Sequence, residues 1–449
     1  MTTITITQTF TSKTRNGGGG APPLNTVAPV ISGSSAIGST LSSTTGTWTG
    51  TPTITYSYQW KRAGVDIVGE TNSTYVLVVA DYNVAITCVV TATNAFGSAS
   101  ATSNSITGTG VAPVNTVAPV ISGTPTVGQT LSSTTGTWTG NPAPTYTYQW
   151  KRNGSNIISA TSSTYTLVQA DATFAITCAV TGTNVVGQAE ATSNSLTVFD
   201  ADAQAFITAS GLTGATNLTA INQLVVDLKT YGIWTKMKAI YPIIGGTATT
   251  HKFNLKNPLD TDAAFRLVFN GGWTHSSNGA LPNGTNAYAD TFLIPNTAYT
   301  VATDAHMSFY SRTNVNLNSI DMGTFDLFQA FQMNFWNGSF SNQTRSVINN
   351  AINLGSVDTN SLGFLIANRS GTTVKNFKNS SIIASGTNSV TAKTTTKIWI
   401  GAQNFNNTFN LPSSRQCAFA SIGDGLTDIE AANFYTAVQN FQTTIGRQV

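Results

Sequence analysis

The chain has 449 residues, of which 9% are charged and 40% apolar, and its formal net charge is +3. This length predicts several domains, and the apolar content excludes a chain disordered throughout. The scattered charge contains no Lys/Arg-rich run, and no apolar run reaches the roughly 18–20 residues that span a bilayer, so we expect neither a nucleic-acid partner nor membrane insertion.

Residues 1–16 predict a β-strand with no partner nearby in the sequence. Threonine alternates with apolar residues in "MTTITITQTF", and none of the regions of a secretory signal is present. Residues 17–23 follow as a Gly/Pro linker. Because a lone strand is unstable, we predict an anchoring arm that adds to the sheet edge of a partner, with a frayed terminus as the alternative. The candidate anchoring residues are Thr3, Ile4, Thr5, Ile6, Thr7 and Phe10.

Residues 24–110 and 111–199 are tandem copies of one domain. "NTVAPVISG" begins at residue 25 and again at 115, and "YQWKR" begins at residue 58 and again at 148. These and further pairs are offset by 90 residues without insertion. Short Val/Ile/Thr/Tyr runs broken by Gly, Pro and Asn are typical of a β-sandwich.

Both copies resemble the bacterial and phage immunoglobulin-like family. In the first copy, Trp60 of "YSYQWKR" matches the buried strand-C tryptophan of that family, and Cys88 matches its strand-F cysteine. Leu41 lies near the position of the missing strand-B cysteine, and Ile86 lies where the family has a corner tyrosine. The second copy has the same residues 90 positions later. The resemblance therefore implies a sandwich held by apolar packing instead of a disulfide.

The three cysteines, Cys88, Cys178 and Cys417, fall in three different domains, so no domain can close an internal disulfide. This distribution fits folding in a reducing cytoplasm. Neither repeat contains a second cysteine or a histidine, so we predict that Cys88 and Cys178 are buried core residues with no metal or catalytic role.

Residues 200–249 predict a helical collar. "DADAQAFITASG" begins with a capping Asp and ends at Gly211, and the next segment is an amphipathic helix that ends at Gly232. Its apolar residues recur every three or four positions. They are Leu218, Ile221, Leu224, Val225 and Leu228.

Residues 250–449 alternate strand-like runs with Asn/Gly/Ser turns and end in a helix, for which Thr427 and Glu430 form a capping box. The segments "HMSFYSRT", "VKNFKNSSIIASG", "TKIWIGAQN" and "CAFASIGDGLTDIEAANFYTAV" resemble the concanavalin A-like lectin/glucanase superfamily in its laminin-G-like form. The predicted fold is therefore mainly β: two immunoglobulin-like sandwiches in tandem, then a jelly-roll sandwich with a helical collar and a C-terminal helix.

The carboxylates argue against a glycosidase, which normally needs two of them across the scissile bond. The glucanases of this superfamily carry two glutamates on one strand, whereas Glu430 is the single glutamate after residue 200 and is assigned to the helix cap. Asp260 and Asp262 lie in a predicted turn, and Asp321 and Asp326 are five residues apart. No nucleophile elbow or metal-ligand cluster is present, so we predict no catalysis, no cofactor and no metal.

Glycan binding is a hypothesis for two stretches that combine aromatic rings with amides, "NFWNGSF" and "GAQNFNNTFN". The alternative is a core tryptophan with turn-forming asparagines. The candidate residues are Trp336, Asn337, Asn404, Asn406 and Asn407.

The resemblance of both halves to phage modules, together with the low charge, leads to a functional hypothesis. We expect a non-enzymatic structural protein of a tailed bacteriophage: a capsid decoration or head-fibre subunit, assembled in host cytoplasm and exposed on the virion. Its arm would bind other virion proteins, its domains would adhere to glycans or the host surface, and it would form a homo-oligomer or symmetric array. The alternatives are a tail-associated receptor-binding protein, a polysaccharide-degrading glycosidase and a bacterial surface lectin.

Overall fold

The computed structural model describes residues 19–315, 317–326, 329–337, 343–357, 360–389 and 392–449, and for residues 336, 337, 343 and 353–357 it describes the backbone alone. This part of the chain is mainly β, with almost every strand pairing antiparallel. Two successive immunoglobulin-like sandwiches precede a larger two-sheet sandwich flanked by helices, which confirms the predicted fold class. The predicted anchoring residues lie outside the described residues.

The two immunoglobulin-like sandwiches have the same strands in the same order. The first contains β1 Leu24–Val27, β2 Ile31–Ser32, β3 Thr40–Ser43, β4 Thr47–Thr49, β5 Thr55–Arg62, β6 Val65–Asp66, β7 Thr74–Val76, β8 Ala85–Asn94, β9 Gly97–Thr102 and β10 Ile106–Thr107. The second contains β11 Val111–Val117, β12 Ile121–Ser122, β13 Thr130–Ser133, β14 Thr137–Asn141, β15 Thr145–Arg152, β16 Ser155–Asn156, β17 Thr164–Thr166, β18 Ala175–Asn184, β19 Gly187–Thr192 and β20 Leu196–Thr197.

The core of each sandwich lies between a three-stranded sheet and a five-stranded sheet. In the first copy β2, β3 and β7 form one sheet, while β6, β5, β8, β9 and β10 form the other. Trp60 pairs with Cys88 across β5 and β8, and both are fully buried together with Leu41 and Ile86. The predicted core tryptophan and core cysteine are therefore confirmed, and burial raises the pKa of the Cys88 thiol.

Each copy lacks a disulfide but contains a buried carboxylate that accepts several hydrogen bonds. Asp81 is fully buried and accepts hydrogen bonds from Arg62 Nε at 2.7 Å, the Tyr75 hydroxyl at 2.7 Å and the Val78 N–H at 2.7 Å. Asp171 makes the equivalent contacts in the second copy. A buried charge with an ion-pair partner and further donors is well compensated, so this corner closes one end of the sandwich.

The collar helices are α1 Ala201–Ser210 and α2 Ala215–Thr230, as the sequence predicts. The Asp200 side chain caps α1 by accepting from the Asp202 N–H, and Gly211 ends it at φ +65°. Met237–Tyr241, which the sequence analysis leaves in the collar, is instead a strand that pairs with residues 420–423. The collar is thus joined directly to the sheet that follows it.

The C-terminal sandwich contains seventeen strands in the described part of the chain. They are β21 Met237–Tyr241, β22 Val268–Asn270, β23 Trp273–Ser276, β24 Gly279–Pro282, β25 Tyr288–Asp290, β26 Asp304–Ser311, β27 Met322–Asp326, β28 Gln329–Asn337, β29 Gln343–Ile348, β30 Ala351–Val357, β31 Gly363–Ser370, β32 Thr373–Lys378, β33 Ser381–Thr387, β34 Trp399–Ile400, β35 Gln403–Phe405, β36 Thr408–Asn410 and β37 Cys417–Gly423. The remaining helices are α3 Ala248–His251, α4 Pro295–Ala298 and α5 Asp428–Thr444.

Two cores divide this domain into layers. One core packs the eight-stranded sheet, whose central strands are β37, β26 and β31, against the nine-stranded sheet, whose central strands are β34, β27 and β28. The other core packs the opposite side of the eight-stranded sheet against α1, α2 and α5. The predicted capping box of α5 is confirmed, because Thr427 and Glu430 exchange hydrogen bonds. Helices thus cover the side of the eight-stranded sheet that faces away from the nine-stranded sheet.

Candidate functional site

The structure brings the two predicted glycan-binding stretches together on the nine-stranded sheet. β28, which contains "NFW", pairs with one side of β27, and β35, which contains "QNF", pairs with the other side. The two stretches are therefore one strand apart, although about 70 residues of sequence separate them. We call the surface of β27, β28, β29 and β35 that faces away from the core the outer face.

Strand alternation decides which side chains reach the outer face. Phe331, Met333 and Phe335 of β28 belong to the core between the sheets. Because successive side chains on a strand point to opposite sides, Gln332 and Asn334 lie on the outer face. Both are nevertheless buried, so other parts of the chain cover the outer face at this point.

A line of amides crosses the outer face from the buried Gln332 to the exposed Asn410. Gln332 Oε1 accepts from Gln403 Nε2 at 2.5 Å, and Gln403 Oε1 accepts from Asn410 Nδ2 at 2.9 Å. Asn410 is exposed. Gly323 makes the crossing sterically possible, since a Cβ at this position would lie 2.3 Å from Gln332 Cβ. The line orients each amide and leaves the outer end of the row at solvent.

Asn334 is the exception in this row of amides. Its side chain is fully buried, and within the described part of the chain neither Nδ2 nor Oδ1 has a hydrogen-bond partner. An unsatisfied buried amide costs on the order of 1–3 kcal/mol, and such a group calls for an explanation such as a bound water or ligand. Asn334 can offer a ligand both a donor and an acceptor.

Charged groups surround Asn334. Arg345 pairs with it across β28 and β29 and is half-buried, and burial lowers the pKa of its guanidinium. Asp321 accepts the Phe335 N–H at 2.9 Å and forms a fully buried ion pair with Arg415, also at 2.9 Å. The Asp321–Arg415 pair is neutral as a unit.

Aromatic rings border the amide line. Phe405 stacks on Phe325 with ring centroids 5.3 Å apart and planes 5° apart, and 39% of Phe405 remains exposed. Tyr288 stacks on Trp399 at 3.9 Å, and Phe409 lies 6.0 Å from Tyr288. A half-exposed ring beside oriented amides can pack against the C–H face of a sugar while the amides bond its hydroxyls.

The predicted candidates take different places in this arrangement. Asn404 is fully buried, donates to the Lys397 carbonyl at 2.8 Å and accepts the Asn407 N–H at 2.8 Å, so it holds the turn after β35. Asn406 and Asn407 are exposed in that turn with left-handed φ values of +48° and +65°. Trp336 and Asn337 lie at the end of β28, and their side chains are outside the described residues.

The residues predicted from the sequence do not include Gln332, Asn334, Arg345 or Gln403. The alternation in "FQMNF" was a usable signal, because two amides interrupt three large apolar residues at every second position. The partners across the sheet had no such signal, since their strands lie up to about 70 residues away.

The carboxylates considered for glycosidase chemistry are in structural contacts. Glu430 caps α5 and pairs with Lys236, while Asp260 and Asp262 are exposed and both pair with Arg266. Asp326 accepts hydrogen bonds from Thr395.

Across the described ranges, no three His, Cys, Asp or Glu side chains are grouped as a metal site would require. The helices in those ranges are also too short or too polar to cross a membrane.

No protein-family model matches the sequence, and a search of curated proteins gives no significant match. Solved structures resemble parts of the fold. Domain 4 of AbnA, a GH43 extracellular arabinanase from Geobacillus stearothermophilus solved with arabinotriose, has 14% identity and a TM-score of 0.32; the match covers 44% of this chain and 98% of that one. The titin domains z1z2, solved with telethonin, have 19% identity and a TM-score of 0.21, with coverage of 40% and 97%. Sidekick-1 immunoglobulin domains 1–5 have 17% identity and a TM-score of 0.15, with coverage of 40% and 60%.

The strand order and the cores define the class of protein. The chain is a multidomain β protein with tandem immunoglobulin-like sandwiches that lead into a third sandwich with a row of amides on its outer face.

Proposed function

We propose that the protein is a non-enzymatic adhesion subunit of a bacteriophage particle, a capsid decoration or head-fibre protein whose C-terminal sandwich binds glycans through the outer face. The observation that carries the binding proposal is the buried Asn334 amide, which has no partner in the described part of the chain although a row of satisfied amides lies beside it. The phage setting rests on the sequence resemblance of both halves.

The chemistry of the outer face supports a sugar as the ligand. Hydroxyl groups both donate and accept, as do the amides of Asn334 and Asn410, and the Phe405 ring offers an apolar platform. A binding role without catalysis fits carboxylates that are held in a helix cap, surface ion pairs and a buried ion pair.

A substitution of Asn334 should change the glycan affinity and the free energy of unfolding in opposite directions. We expect Asn334→Leu to raise the free energy of unfolding by about 1 kcal/mol, because leucine removes an unsatisfied amide at similar volume. The same change should weaken glycan binding at least about tenfold, since the amide is the group that the ligand would satisfy. Binding is measured by a glycan array with the full chain and then by calorimetry, and stability by urea unfolding.

Asn404→Leu is the matched control. It removes an amide that already has partners, so it should destabilise the fold by about 1–3 kcal/mol while Asn334 is unchanged. Undiminished glycan binding by Asn334→Leu would contradict the site, and the absence of any bound glycan would contradict the binding function.

The particle assignment is tested separately. Mass spectrometry of purified virions should detect the chain, and deleting residues 2–15 should leave a soluble, folded protein that no longer joins the particle. The physical reason is that a single strand gains stability by pairing with a partner's sheet edge. Normal incorporation of the truncated chain would refute the arm, and location on the tail would favour a receptor-binding protein instead.

A further inference from the structure

Each immunoglobulin-like sandwich has an N-terminal pole, the end at which the chain enters it. In the first sandwich this pole contains Gly20, Ala21, Thr51 and Phe96. The Ala21 N–H donates to Thr51 Oγ1 at 2.6 Å, and Asn94 Nδ2 donates to the Ala21 carbonyl at 2.8 Å. A Cβ on Gly20 would lie 2.1 Å from the Phe96 ring, so the ring lies directly on the entering backbone.

The N-terminal pole of the second sandwich is built on the same plan. Asn184 Nδ2 donates to the Val111 carbonyl at 2.8 Å, as Asn94 does to Ala21. Gly110 lies against Val186, which stands at the position of Phe96. The two poles are therefore built alike around the entering chain, with Phe96 of the first replaced by Val186 in the second.

The first sandwich covers the pole of the second. Asn141 Nδ2 donates to the Ile37 carbonyl at 3.0 Å, and Tyr82 lies within 3.5 Å of the Cβ position of Gly110. Val186 is half-buried. On the first sandwich the larger Phe96 ring is 50% exposed, and a neighbouring groove of about 700 Å³ is open. That groove is lined by Gly19, Ala21, Pro22, Pro23, Leu24, Thr49, Gly50 and Thr51.

The 90-residue offset between the two copies shows which segment leads into this pole. Residues 16–20 correspond to residues 106–110, which lead the chain into the pole of the second sandwich. Gly19 lines the open groove, so the preceding segment starts at the surface in question. That segment carries Ile4, Ile6 and Phe10, and its glycine tether keeps its effective concentration near the pole in the millimolar range.

We propose that the N-terminal pole of the first sandwich is a docking surface for the chain's own residues 2–12, whose apolar side chains cover Phe96. An uncovered Thr/Ile strand is a template for unwanted pairing with other strands. Docking shields these side chains until a partner's sheet edge replaces the pole. This docking occurs before assembly; it rests on the proposed anchoring arm and is independent of glycan binding.

Trypsin measures the docking directly in the full-length protein. The basic residues of the first 60 positions are Lys13 and Arg15, which lie between the proposed docked segment and the tether. When opening and closing are faster than cleavage, the cleavage rate reports the population of the undocked segment. We expect Phe96→Ser to raise this rate about tenfold, because the variant removes the apolar surface that the segment covers. Val68→Ser, which alters a 96% exposed side chain in the same sandwich, should leave the rate unchanged.

A reciprocal variant completes the test. Ile4→Ser, Ile6→Ser and Phe10→Ser combined should raise the cleavage rate as much as Phe96→Ser, and all four changes together should add nothing further. Calorimetry verifies that the sandwich in Phe96→Ser still unfolds as in the parent protein. Equal rates in the parent and Phe96→Ser, or additive effects, would overturn the proposal. Protection that is lost on dilution of about a hundredfold would assign the pole to the segment of a second copy, and would also overturn it.

Discussion

The hydrogen bonds around His251 and His275 hold both imidazole rings in the neutral state. The Gly246 N–H donates to Nε2 of His251 at 3.1 Å, so the proton of that ring lies on Nδ1 and is directed at Nδ1 of His275, 2.9 Å away. Protonating His251 at Nε2, or His275 at Nδ1, would set a donor against a donor. Burial, with smaller contributions from His275 and Arg447, lowers the pKa of His251 to about 3.

His306 is neutral for a related reason. It is fully buried, and its Nδ1 donates to the Asp424 carbonyl at 2.6 Å while Nε2 lies 3.3 Å from the Ser421 hydroxyl. Burial lowers its pKa to about 4, although the bond to Asp424 opposes that shift. The folded C-terminal domain therefore resists protonation at histidines that the unfolded chain protonates near pH 6.5.

These pKa values predict acid sensitivity of the C-terminal domain. Between pH 6.5 and about pH 4 the unfolded chain binds protons that the folded domain excludes, so the free energy of unfolding falls as pH falls. The loss at pH 5 should be about 2 kcal/mol for each of His251 and His306. Urea unfolding at pH 7.5 and pH 5 measures it, and His306→Asn should reduce the difference by about 2 kcal/mol. Equal stability of the parent protein at the two pH values would contradict the neutral histidines.

At the scale of single elements, the segments with local signals could be predicted. Asp200 and Gly211 bound α1, and the Thr427–Glu430 box begins α5, because caps act within one turn of a helix. The 90-residue offset likewise implied that the two sandwiches share one strand order, because the two copies have the same core residues at corresponding positions.

Elements that depend on distant pairing could not be predicted in this way. Met237–Tyr241 becomes a strand because residues 420–423, near the other end of the domain, offer it an edge. The outer face depends on the same kind of pairing. Asn334 and Asn404 look alike in the sequence, yet Asn404 has a turn to satisfy it and Asn334 does not. Which asparagine could serve a ligand is thus decided by the sheet and not by composition.

At the scale of the whole molecule, the two joints between domains differ. The joint between the immunoglobulin-like sandwiches includes the Asn141–Ile37 hydrogen bond, whose donor is half-buried. The joint between the second sandwich and the collar is centred on Asp200, which is fully buried and accepts from Gln169 of the sandwich and from Lys229 of α2. Because groups from both the second sandwich and the collar bind this buried carboxylate, it favours one orientation of the sandwich relative to the collar.

Asn222 strengthens the second joint. It is buried on α2, where its Oδ1 accepts the Asp200 N–H at 2.8 Å and its Nδ2 donates to the Val198 carbonyl at 3.0 Å. The Asn222 amide thus binds, through its oxygen and its nitrogen, the backbone that leaves the sandwich. We infer that the second sandwich and the C-terminal domain move as one body, whereas bending occurs between the two sandwiches.

Distance measurements between spin labels test this difference in rigidity. Labels at Ile158→Cys and Ile429→Cys, both exposed, should give a narrow distance distribution in the parent background, and labels at Val68→Cys and Ile158→Cys a broader one. The native cysteines are buried and should not react with the label. Asn222→Ala should broaden the first distribution, because it leaves the Asp200 N–H and the Val198 carbonyl without their buried partner at a cost of about 1–3 kcal/mol.

Asn217→Ala is the control on the same helix. The Asn217 amide donates to the carbonyl of Thr213, just before the start of α2, and does not reach the sandwich. It should leave the distribution between positions 158 and 429 unchanged. A distribution in the parent protein that is as broad across the collar joint as between the two sandwiches would contradict the rigid joint. A narrow distribution that Asn222→Ala does not broaden would show instead that apolar packing, and not the buried polar contacts, sets the orientation of the C-terminal domain.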